Sequence, residues 1–442
     1  MRIAIIGTGI SGNAAAWALT QSTAATKGNQ VRVYETRSRT GGHSHTVDID
    51  YDGKSFPVDM GFIVYNTLNY PNLVALFKHL SVETRESDMS FGVSMRNGSL
   101  EWSGQSLRTV FAQKKNLVSP RFWTMIRDIF KFNKKAQADL KAGKLGDQTL
   151  GDYLKHNKYS AAFISDYLAP MGAAIWSTPH ADIMDFPAES FIRFFDNHKL
   201  MHSPQERPKW RTVVGGSRSY VEKITAPFQQ DIQLSNKVVN VIRKNGLAYL
   251  TDESGNQEAY DHIIFASHTG QTLSMMGDAT EQERAILGAI KYRPNTIYLH
   301  RDIDLMPKDK SVWSAWNYME TTDALQKKTG VCVSYHMNKL QNIDDSCPTF
   351  VSLNPKTPPR TELTFHVAHF DHPQFNQEAL QAQQELSAIQ GQNIFSYCGA
   401  WCGYGFHEDG LKAGLSVAEN LGAQIPWRFN AKKKSLHLEA AE

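Results

Sequence analysis

The chain has 442 residues, which is enough for two or three domains' worth of hydrophobic core. Hydrophobic residues make up 41% and charged residues 21%, an ordinary balance for a globular protein that excludes disorder over most of the chain. The formal net charge of +3 favours neither nucleic acid nor an acidic partner, and we expect no nucleic-acid binding.

Cysteine usage and hydropathy indicate the compartment. The 4 cysteines are too few and too scattered for a disulfide framework in a chain this long, which fits a reducing environment. The sequence opens on a buried-strand pattern without the apolar core and cleavage site of a signal peptide, and no apolar run approaches the roughly 18 residues of a membrane span. We therefore expect a cytoplasmic protein, at most peripheral at the inner face of the membrane.

A glycine-rich turn follows the first predicted strand, Ile3 to Ile6, and precedes an alanine-rich helix that ends near Thr20. In the turn, Gly7 suits the tight bend, Gly9 the close approach of a pyrophosphate, and Gly12 the packing of helix on strand. The next predicted strand begins at Val31 and ends on Glu35, whose carboxylate is placed to bind ribose hydroxyls. The sequence thus predicts a βαβ dinucleotide-binding unit with these cofactor contacts: Gly7, Gly9, Ile10, Ser11, Gly12 and Glu35.

The residues after Glu35 favour FAD over NAD. Arg39, Gly41 and Gly42 provide a guanidinium and a second glycine pair just past the ribose site. This arrangement suits an extended dinucleotide whose far end lies deep in the protein. We expect all three residues to contact FAD.

Predicted elements in the middle of the chain indicate a second domain that is interleaved with the first. Apolar residues recur at helical spacing, and an aromatic-rich and methionine-rich segment follows them, which predicts a helical cap over a substrate cavity: 69–80, 121–140 and 163–195. Alternating patterns predict strands that return to the nucleotide-binding sheet at 238–242, 247–250 and 263–265, and strands that floor the substrate domain at 296–300, 331–335 and 364–367.

The predicted fold class is α/β, with a Rossmann-like FAD-binding domain interleaved with an α+β substrate domain. We assign residues 1–85, 205–275 and 385–442 to the discontinuous FAD-binding domain. Residues 86–204 and 276–384 form the predicted substrate or cap domain.

A basic stretch between Lys114 and Lys135 alternates with aromatic and aliphatic residues. It is typical of an ordinary amphipathic helix with a solvated basic face. It is also typical of an interfacial helix that contacts anionic lipid. Both interpretations stay open at this point.

A glycine-rich segment near the C-terminus, 397–410, joins a predicted strand to a closing helix that ends near Leu421. Backbone amides at the start of that helix are expected to face the pyrimidine edge of a flavin, where negative charge builds up on reduction. Glu408 and Asp409 have a second interpretation as helix caps. His43 and His45 lack two further ligands at a recognisable spacing, and we expect no metal site.

Several long runs make a family resemblance specific: GGHSHTV at 41–47, VDMGFIVYN at 58–66, SDMSF at 87–91 and GFHEDGL at 405–411. The chain resembles bacterial NAD/FAD-binding proteins related to flavin amine oxidases, and similarly the N-terminal domain of plant cyclopropane fatty acid synthases. The resemblance implies an amine-oxidase-type two-domain fold. It also implies flavin contacts from Asp59, Gly61, Phe62, Val239, Gly403, Glu408, Gly410 and Leu411, with Val239 near the adenine.

The resemblance implies a substrate class as well. A domain that is fused to cyclopropane synthases suggests dehydrogenation of an unsaturated or methylated fatty acyl chain of phospholipid, with a lipid methyltransferase as a partner. His43, His45 and His336 are the candidate bases, because the ordinary pKa of histidine lies near neutrality. Oxidation of an amine or of a carotenoid-like polyene is the alternative, and a non-catalytic flavin-bearing partner of the methyltransferase is a third.

Overall fold

A computed structural model describes residues 1–21, 26–320 and 331–428. The strands of the described chain are β1 (Arg2–Ile6), β2 (Gln30–Tyr34), β3 (Thr46–Tyr51), β4 (Lys54–Asp59), β5 (Val64–Asn66), β6 (Thr84–Ser87), β7 (Phe91–Met95), β8 (Leu100–Ser103), β9 (Trp210–Val213), β10 (Ile232–Gln233), β11 (Val238–Lys244), β12 (Leu247–Asp252), β13 (Gln257–Tyr260), β14 (His262–Phe265), β15 (Tyr292–His300), β16 (Trp316–Glu320), β17 (Val331–His336), β18 (Phe350–Leu353), β19 (Thr364–Pro373) and β20 (Phe395–Tyr397). The α-helices are α1 (Ile10–Thr20), α2 (Pro71–His79), α3 (Leu107–Val110), α4 (Pro120–Lys141), α5 (Leu150–His156), α6 (Ala161–Phe163), α7 (Ala169–Trp176), α8 (His180–Met184), α9 (Ala188–Asn197), α10 (Arg218–Thr225), α11 (Thr269–Met275), α12 (Glu281–Ala289), α13 (Met337–Gln341), α14 (Gln377–Glu385) and α15 (His407–Asn420).

The central sheet is parallel, with strand order β10-β2-β1-β14-β20. Successive residues of β1 face opposite sides of this sheet, as strand geometry requires. Ile3 and Ile5 pack into the core shared with α1, α10 and α15, and Ala4 and Ile6 pack into the core on the other face. A strand that is buried on both faces explains the continuous apolar run in the sequence.

One prediction about this sheet is wrong. Residues 238–242 and 247–250 do not return to the central sheet, because β11, β12 and β13 form a separate antiparallel sheet. Asn245 and Gly246, both at positive φ, make a two-residue hairpin turn in which Lys244 pairs with Leu247. Such a turn joins antiparallel neighbours, so these strands cannot extend a parallel sheet. Of the three predicted strands, β14 alone joins it.

A seven-stranded sheet with order β19-β15-β18-β17-β16-β7-β8 forms the second layer. Three of its strands, β15, β17 and β19, confirm the strands predicted at 296–300, 331–335 and 364–367. Its strands come from two separate stretches of the chain, 91–103 and 292–373. Helices α4 to α9 pack on one face through a large aromatic core that includes Phe132, Phe163 and Phe191. The long α4 confirms the helix predicted at 121–140. None of the helices in the described chain is long and apolar enough to cross a bilayer.

Candidate active site

A cavity of about 860 Å³ begins at the carboxyl end of β1 and continues between the seven-stranded sheet and the cap helices. The carboxyl edge of a parallel sheet is where dinucleotides bind in such folds. The glycine turn, Glu35 and the start of α1 line the cavity at this end. Apolar side chains line the other end, so the cavity joins a nucleotide cleft to an apolar chamber.

The start of α1 is open to the cavity. Gly9 is the N-cap and no side chain caps the helix, so its first backbone N–H groups are free for an anion. The side chain of Asn13 donates to the carbonyl of Thr8 at 2.8 Å and holds the turn. Glu35 accepts from the backbone N–H of Thr8 at 3.1 Å and of Arg37 at 2.9 Å. These contacts fix the carboxylate on the cavity wall.

Close packing between α1 and α15 brings the C-terminal helix to the nucleotide turn. A Cβ on Gly12 would lie 1.9 Å from the carbonyl oxygen of Gly7, and one on Gly410 would lie 2.8 Å from Ile10. Gly410 therefore lies in this helix contact rather than on the cavity wall. Leu411 is fully buried in the same core. Gly410 and Leu411, which were predicted to contact the flavin, therefore affect the nucleotide cleft by positioning α15.

The turn that follows Glu35 brings Arg37 to the cavity and turns Arg39 away. Arg37 and the glycine pair Gly41 and Gly42 line the cavity. Arg39 does not; its guanidinium donates to the carbonyls of Thr40, Gly42 and Ser44 at 2.9–3.4 Å. Burial lowers the pKa of Arg39 to about 10. The structure thus places Arg39 as the internal brace of the glycine turn.

Asp59 is fully buried beneath the segment that carries Gly61 and Phe62, both of which line the cavity. Its carboxylate accepts hydrogen bonds from Thr46 at 2.6 Å, from the backbone and hydroxyl of Ser217 at 2.7–3.0 Å, and from Gln341 at 3.1 Å. The backbone N–H of Asp59 donates to the Gln341 amide oxygen at 2.8 Å. Burial raises the pKa of Asp59 to about 6 against the pull of these donors.

Asp59→Asn is expected to lower the free energy of unfolding by about 1–3 kcal/mol at pH 8, where the wild-type carboxyl is ionised. Every group around the carboxylate donates, so an amide NH₂ would face the donors of Ser217 and Gln341. If the Gln341 amide turned over, its own NH₂ would face the Asp59 N–H. Urea unfolding measures the change, with the exposed Asp52→Asn as control. An unchanged midpoint would contradict this account.

A buried hydrogen-bonded chain reaches the cavity beside Phe62. The hydroxyl groups of Ser44 and Tyr220 lie 2.5 Å apart, and the Tyr220 hydroxyl lies 2.6 Å from Nε2 of His407. The imidazole of His407 stacks on Phe62 with ring centroids 3.8 Å apart. Burial lowers the pKa of His407 to about 3, so its ring is neutral. His407 is the first residue of α15 and lines the cavity.

The two carboxylates next to His407 hold helices in place. Asp409 accepts from the backbone N–H groups of Tyr404 and Phe406 at 3.0 and 2.9 Å, which makes it the capping residue of α15. Glu408 accepts from the N–H groups of Asn72 and Leu73 at 2.9 Å and so binds the start of α2. Gly403 packs against Asp409, where a Cβ would lie 2.4 Å from its carboxylate. Neither Gly403 nor Glu408 lines the cavity.

Of the three candidate bases, the structure places one on the cavity wall. His43 lines the cavity and stacks on Phe370 at 4.6 Å, and burial, with His372 nearby, lowers its pKa well below the ordinary value. His45 packs against His366, and burial lowers its pKa to about 4. His336 packs on Phe350 away from the cavity, with its pKa also lowered to about 4 by burial. Val239 is 42% exposed, and its neighbour Val238 is the residue on the wall.

The apolar chamber is built by a row of side chains across four strands of the seven-stranded sheet. Val351 pairs with Tyr335, Tyr335 with Trp316, and Trp316 with Phe91, and all four line the cavity. Three strand spacings make this row about 14 Å long. Residues of α7 and the segment around α9 form the opposite wall: Met171, Ala174, Ile175, Phe194 and Leu200.

Several cavity residues escaped sequence reasoning: Thr8, Arg37, His268, His372 and His407. Tyr220, which does not line the cavity but bonds to His407, escaped it as well. His407 stood beside the predicted Glu408 in the GFHEDGL run, so the motif itself carried the signal. Tyr220 carried none, because it meets the site only through the fold. Among the described residues, no group of three or more His, Cys, Asp or Glu side chains is arranged to hold a metal ion.

A family model for flavin-containing amine oxidoreductases matches residues 10–294. The chain belongs to this family. It is therefore a flavin-dependent oxidoreductase, and FAD is its cofactor. No curated protein matches the sequence.

Solved structures of low sequence identity share the fold. Putrescine oxidase bound to putrescine is 15% identical, with a TM-score of 0.64 over 95% of this chain and 99% of that one. The fatty acid isomerase from P. acnes that produces CLA is 15% identical, with a TM-score of 0.65 over 96% and 99%. Cyclohexylamine oxidase from Brevibacterium oxydans IH-35A is 14% identical, with a TM-score of 0.62 over 95% and 98%.

The cavity of this flavin oxidoreductase fits FAD. A Cβ on Gly9 would meet no atom of the described residues within 4 Å, so the turn leaves open space where the pyrophosphate would lie. The indole nitrogen of Trp401, on the cavity wall, is buried without a hydrogen-bond partner in the described chain. Unpaired buried donors are costly and so indicate a polar ligand. Glu35 and the start of α1 would hold the ADP half, and Gly61, Phe62 and His407 would lie along the flavin half.

Proposed function

We propose that this enzyme dehydrogenates an unsaturated or methylated fatty acyl chain of a phospholipid. The observation that carries the proposal is the apolar chamber, whose row of four side chains offers an extended chain about 14 Å of continuous apolar wall. When bound, FAD supplies at N5 the acceptor for the hydride that leaves the acyl chain. Apolar lining on both walls favours a substrate without charge near the reacting carbon.

The positions of the two carboxylates on the cavity wall of the described chain disfavour an amine substrate. The two residues are Glu35, engaged at the nucleotide end, and Asp371, whose carboxylate lies 4.0 Å from Nδ1 of His268. Neither belongs to the row of side chains that forms the chamber. An ammonium substrate in the chamber would have no counter-charge, which is expensive in an apolar site. A polyene would fit the same walls, and the experiment below separates it from the acyl chain.

His43 is the proposed acceptor of the proton that accompanies hydride loss. His43 is the candidate that lines the cavity, which is the geometric requirement for a base. Burial lowers its pKa and so leaves the imidazole neutral but weakly basic. His45 and His336 would act on the site only through packing.

One comparison and one sequence resemblance support the substrate class. The fatty acid isomerase that shares the fold is named for an acyl substrate, although putrescine oxidase and cyclohexylamine oxidase are named for amines. The resemblance to the domain fused to plant cyclopropane fatty acid synthases favours a lipid, and a lipid methyltransferase remains the proposed partner. Such an enzyme would supply the methylated chains.

Anaerobic titration of the holoenzyme with phospholipids tests the proposal. We expect the visible absorbance of FAD to bleach with unsaturated or methylated chains and to stay unchanged with saturated chains. Met171→Trp, which adds bulk to the chamber wall, should slow bleaching, and the exposed Leu68→Trp should not. Bleaching by an amine or a carotenoid, and not by any phospholipid, would overturn the acyl-chain assignment.

A further inference from the structure

Exposed hydrophobic side chains are concentrated in one segment of the chain. Of eleven large hydrophobic residues that are exposed in the described chain, five lie between residues 107 and 130. Their exposed fractions are 80% for Leu107, 50% for Leu117, 82% for Val118, 48% for Trp123 and 71% for Phe130. Single exposed hydrophobics are normal, but a cluster of this kind marks an interaction site.

The same segment is strongly basic. Residues 104–138 contain eight lysines and arginines and a single acidic residue, Asp128, which is buried. Within the described chain, no acidic side chain forms an ion pair with Arg108, Lys114, Lys115 or Lys134. All four are exposed. Their charges are therefore available to an anionic partner.

The fold holds this surface in a defined shape. Ser106 caps α3, a 3₁₀ turn spans Lys114–Val118, and Ser119 caps α4 with Pro120 in its first turn. The indole N–H of Trp123 donates to the carbonyl of Leu117 at 2.8 Å, which fixes the position of a ring that is 48% exposed. The exposed groups are thus presented by capped elements.

The outer face of α4 combines both kinds of residue. Trp123, Arg127, Phe130 and Lys134 follow one another at helical spacing and are all exposed. The inner face is buried: Phe122, Met125, Phe132 and Ala136. A solvated basic face would not need a half-exposed Trp123 and a largely exposed Phe130, so these two side chains favour the interfacial interpretation of the helix.

We propose that this basic aromatic surface, formed by residues 107–134, docks on an anionic phospholipid bilayer. Its tryptophan and phenylalanine would insert at the headgroup boundary, and its lysines and arginines would contact anionic headgroups. The purpose of this docking rests on the proposed function, because docking would bring the enzyme to an acyl substrate. The exposed side chains and charges that define the surface do not depend on that function.

The surface lies next to the apolar chamber. Phe91 of β7 lines the chamber, and β7 pairs with β8, the strand that leads into the surface. The N–H of Gly104 donates to the carbonyl of Phe91 at 3.2 Å. Phe111, at 5.4 Å from Trp123, packs on the same aromatic core as the chamber residues Met171 and Trp316. A bilayer on this surface would therefore lie one strand away from the chamber wall.

Vesicle co-sedimentation of the full-length holoenzyme tests the proposal. The vesicles are dimyristoyl phosphatidylcholine, with or without about 30 mol% dimyristoyl phosphatidylglycerol. Because the acyl chains of both lipids are saturated, binding to these vesicles does not depend on oxidation. Failure of docking is therefore distinguishable from failure of the proposed function. We expect binding to the anionic vesicles that weakens as NaCl rises from about 0.1 M to about 0.5 M.

Two variants remove the two components of the surface. Leu107→Ser/Val118→Ser/Phe130→Ser changes largely exposed side chains, and Lys114→Glu/Lys115→Glu reverses two free charges. Each is expected to weaken vesicle binding by about tenfold or more, with bound FAD and thermal unfolding unchanged. The matched controls Leu234→Ser/Val367→Ser and Lys244→Glu/Lys291→Glu change exposed residues elsewhere and should bind normally.

Absent vesicle binding, or binding that both variants retain, would overturn the proposal. Tight binding of a labelled oligonucleotide that depends on Lys114 and Lys115, without vesicle binding, would assign the surface to nucleic acid instead.

Discussion

Gly9→Ala is expected to abolish tight FAD binding while the chain still folds, and Gly12→Ala is expected to destabilise the chain itself. In the part of the chain that the structure describes, a Cβ on Gly9 meets no atom within 4 Å, and the residue has an extended backbone at φ −65° that alanine adopts freely. The added methyl group would occupy the space left for the pyrophosphate. A Cβ on Gly12 would lie 1.9 Å from the backbone oxygen of Gly7, so α1 must separate from β1.

Thermal unfolding of apoprotein and FAD titration separate the two effects. Gly9→Ala should keep the wild-type apoprotein midpoint and raise the Kd for FAD by about tenfold or more, which corresponds to about 1.4 kcal/mol. Gly12→Ala should lower the apoprotein midpoint as well. Gly104→Ala, an exposed glycine with open space around it, is the control and should change neither. Equal apoprotein midpoints for the Gly9 and Gly12 variants would contradict this assignment of roles.

The nucleotide unit was predictable because its signals are local. β1 and β2 are buried strands, the glycine turn lies between them, and Glu35 follows directly. Each feature can be read within about 35 residues, and each follows from strand burial or helix geometry. The structure confirms this unit with small shifts, such as the start of β2 at Gln30 rather than at Val31.

For the substrate chamber, the sequence predicted strands and helices but not which of their residues would meet. Its wall joins Phe91, Trp316, Tyr335 and Val351, which are separated by up to 260 positions and meet through strand register. A shift of one residue in any pair would turn that side chain to the other face. Register of this kind depends on tertiary packing, so the row could not be obtained from strand patterns.

The pKa values of the candidate histidines also depend on tertiary packing and could not be predicted from the sequence. His43, His45 and His336 were chosen for an ordinary pKa near neutrality, but burial lowers the pKa of all three. Burial is a property of the fold, and the motif that carries His43 and His45 does not contain it. For the same reason the sequence offered no means of finding Tyr220, which reaches His407 across 187 positions.

His407→Leu is expected to lower the midpoint potential of bound FAD by about 30–60 mV. His407 opens α15, lines the cavity and stacks on Phe62, and Tyr220 fixes its ring through Nε2. Polar groups at a helix N-terminus stabilise the negative charge that reduced flavin acquires. A hydrogen bond to a charged group contributes about 1.5–3 kcal/mol, and 30 mV corresponds to about 1.4 kcal/mol for two electrons.

Dye-coupled reduction measures this potential without any substrate. Tyr220→Phe leaves the His407 ring in place but removes its hydrogen-bond partner, so a smaller decrease is expected. His407→Gln retains an N–H donor and should recover part of the wild-type potential. Tyr65→Phe is the matched control, because Tyr65 is buried in the same core but does not line the cavity.

Acid unfolding provides an independent measurement on the same variants. Because burial lowers the pKa of His407 to about 3, the unfolded chain binds a proton below about pH 6.5 that the folded ring does not accept. The wild type should therefore lose unfolding free energy at this residue as the pH falls from about 6.5 toward about 3. His407→Leu lacks that contribution and should show a shallower decline. An unchanged potential together with an unchanged acid profile would show that His407 neither contacts the flavin region nor is buried as a neutral imidazole.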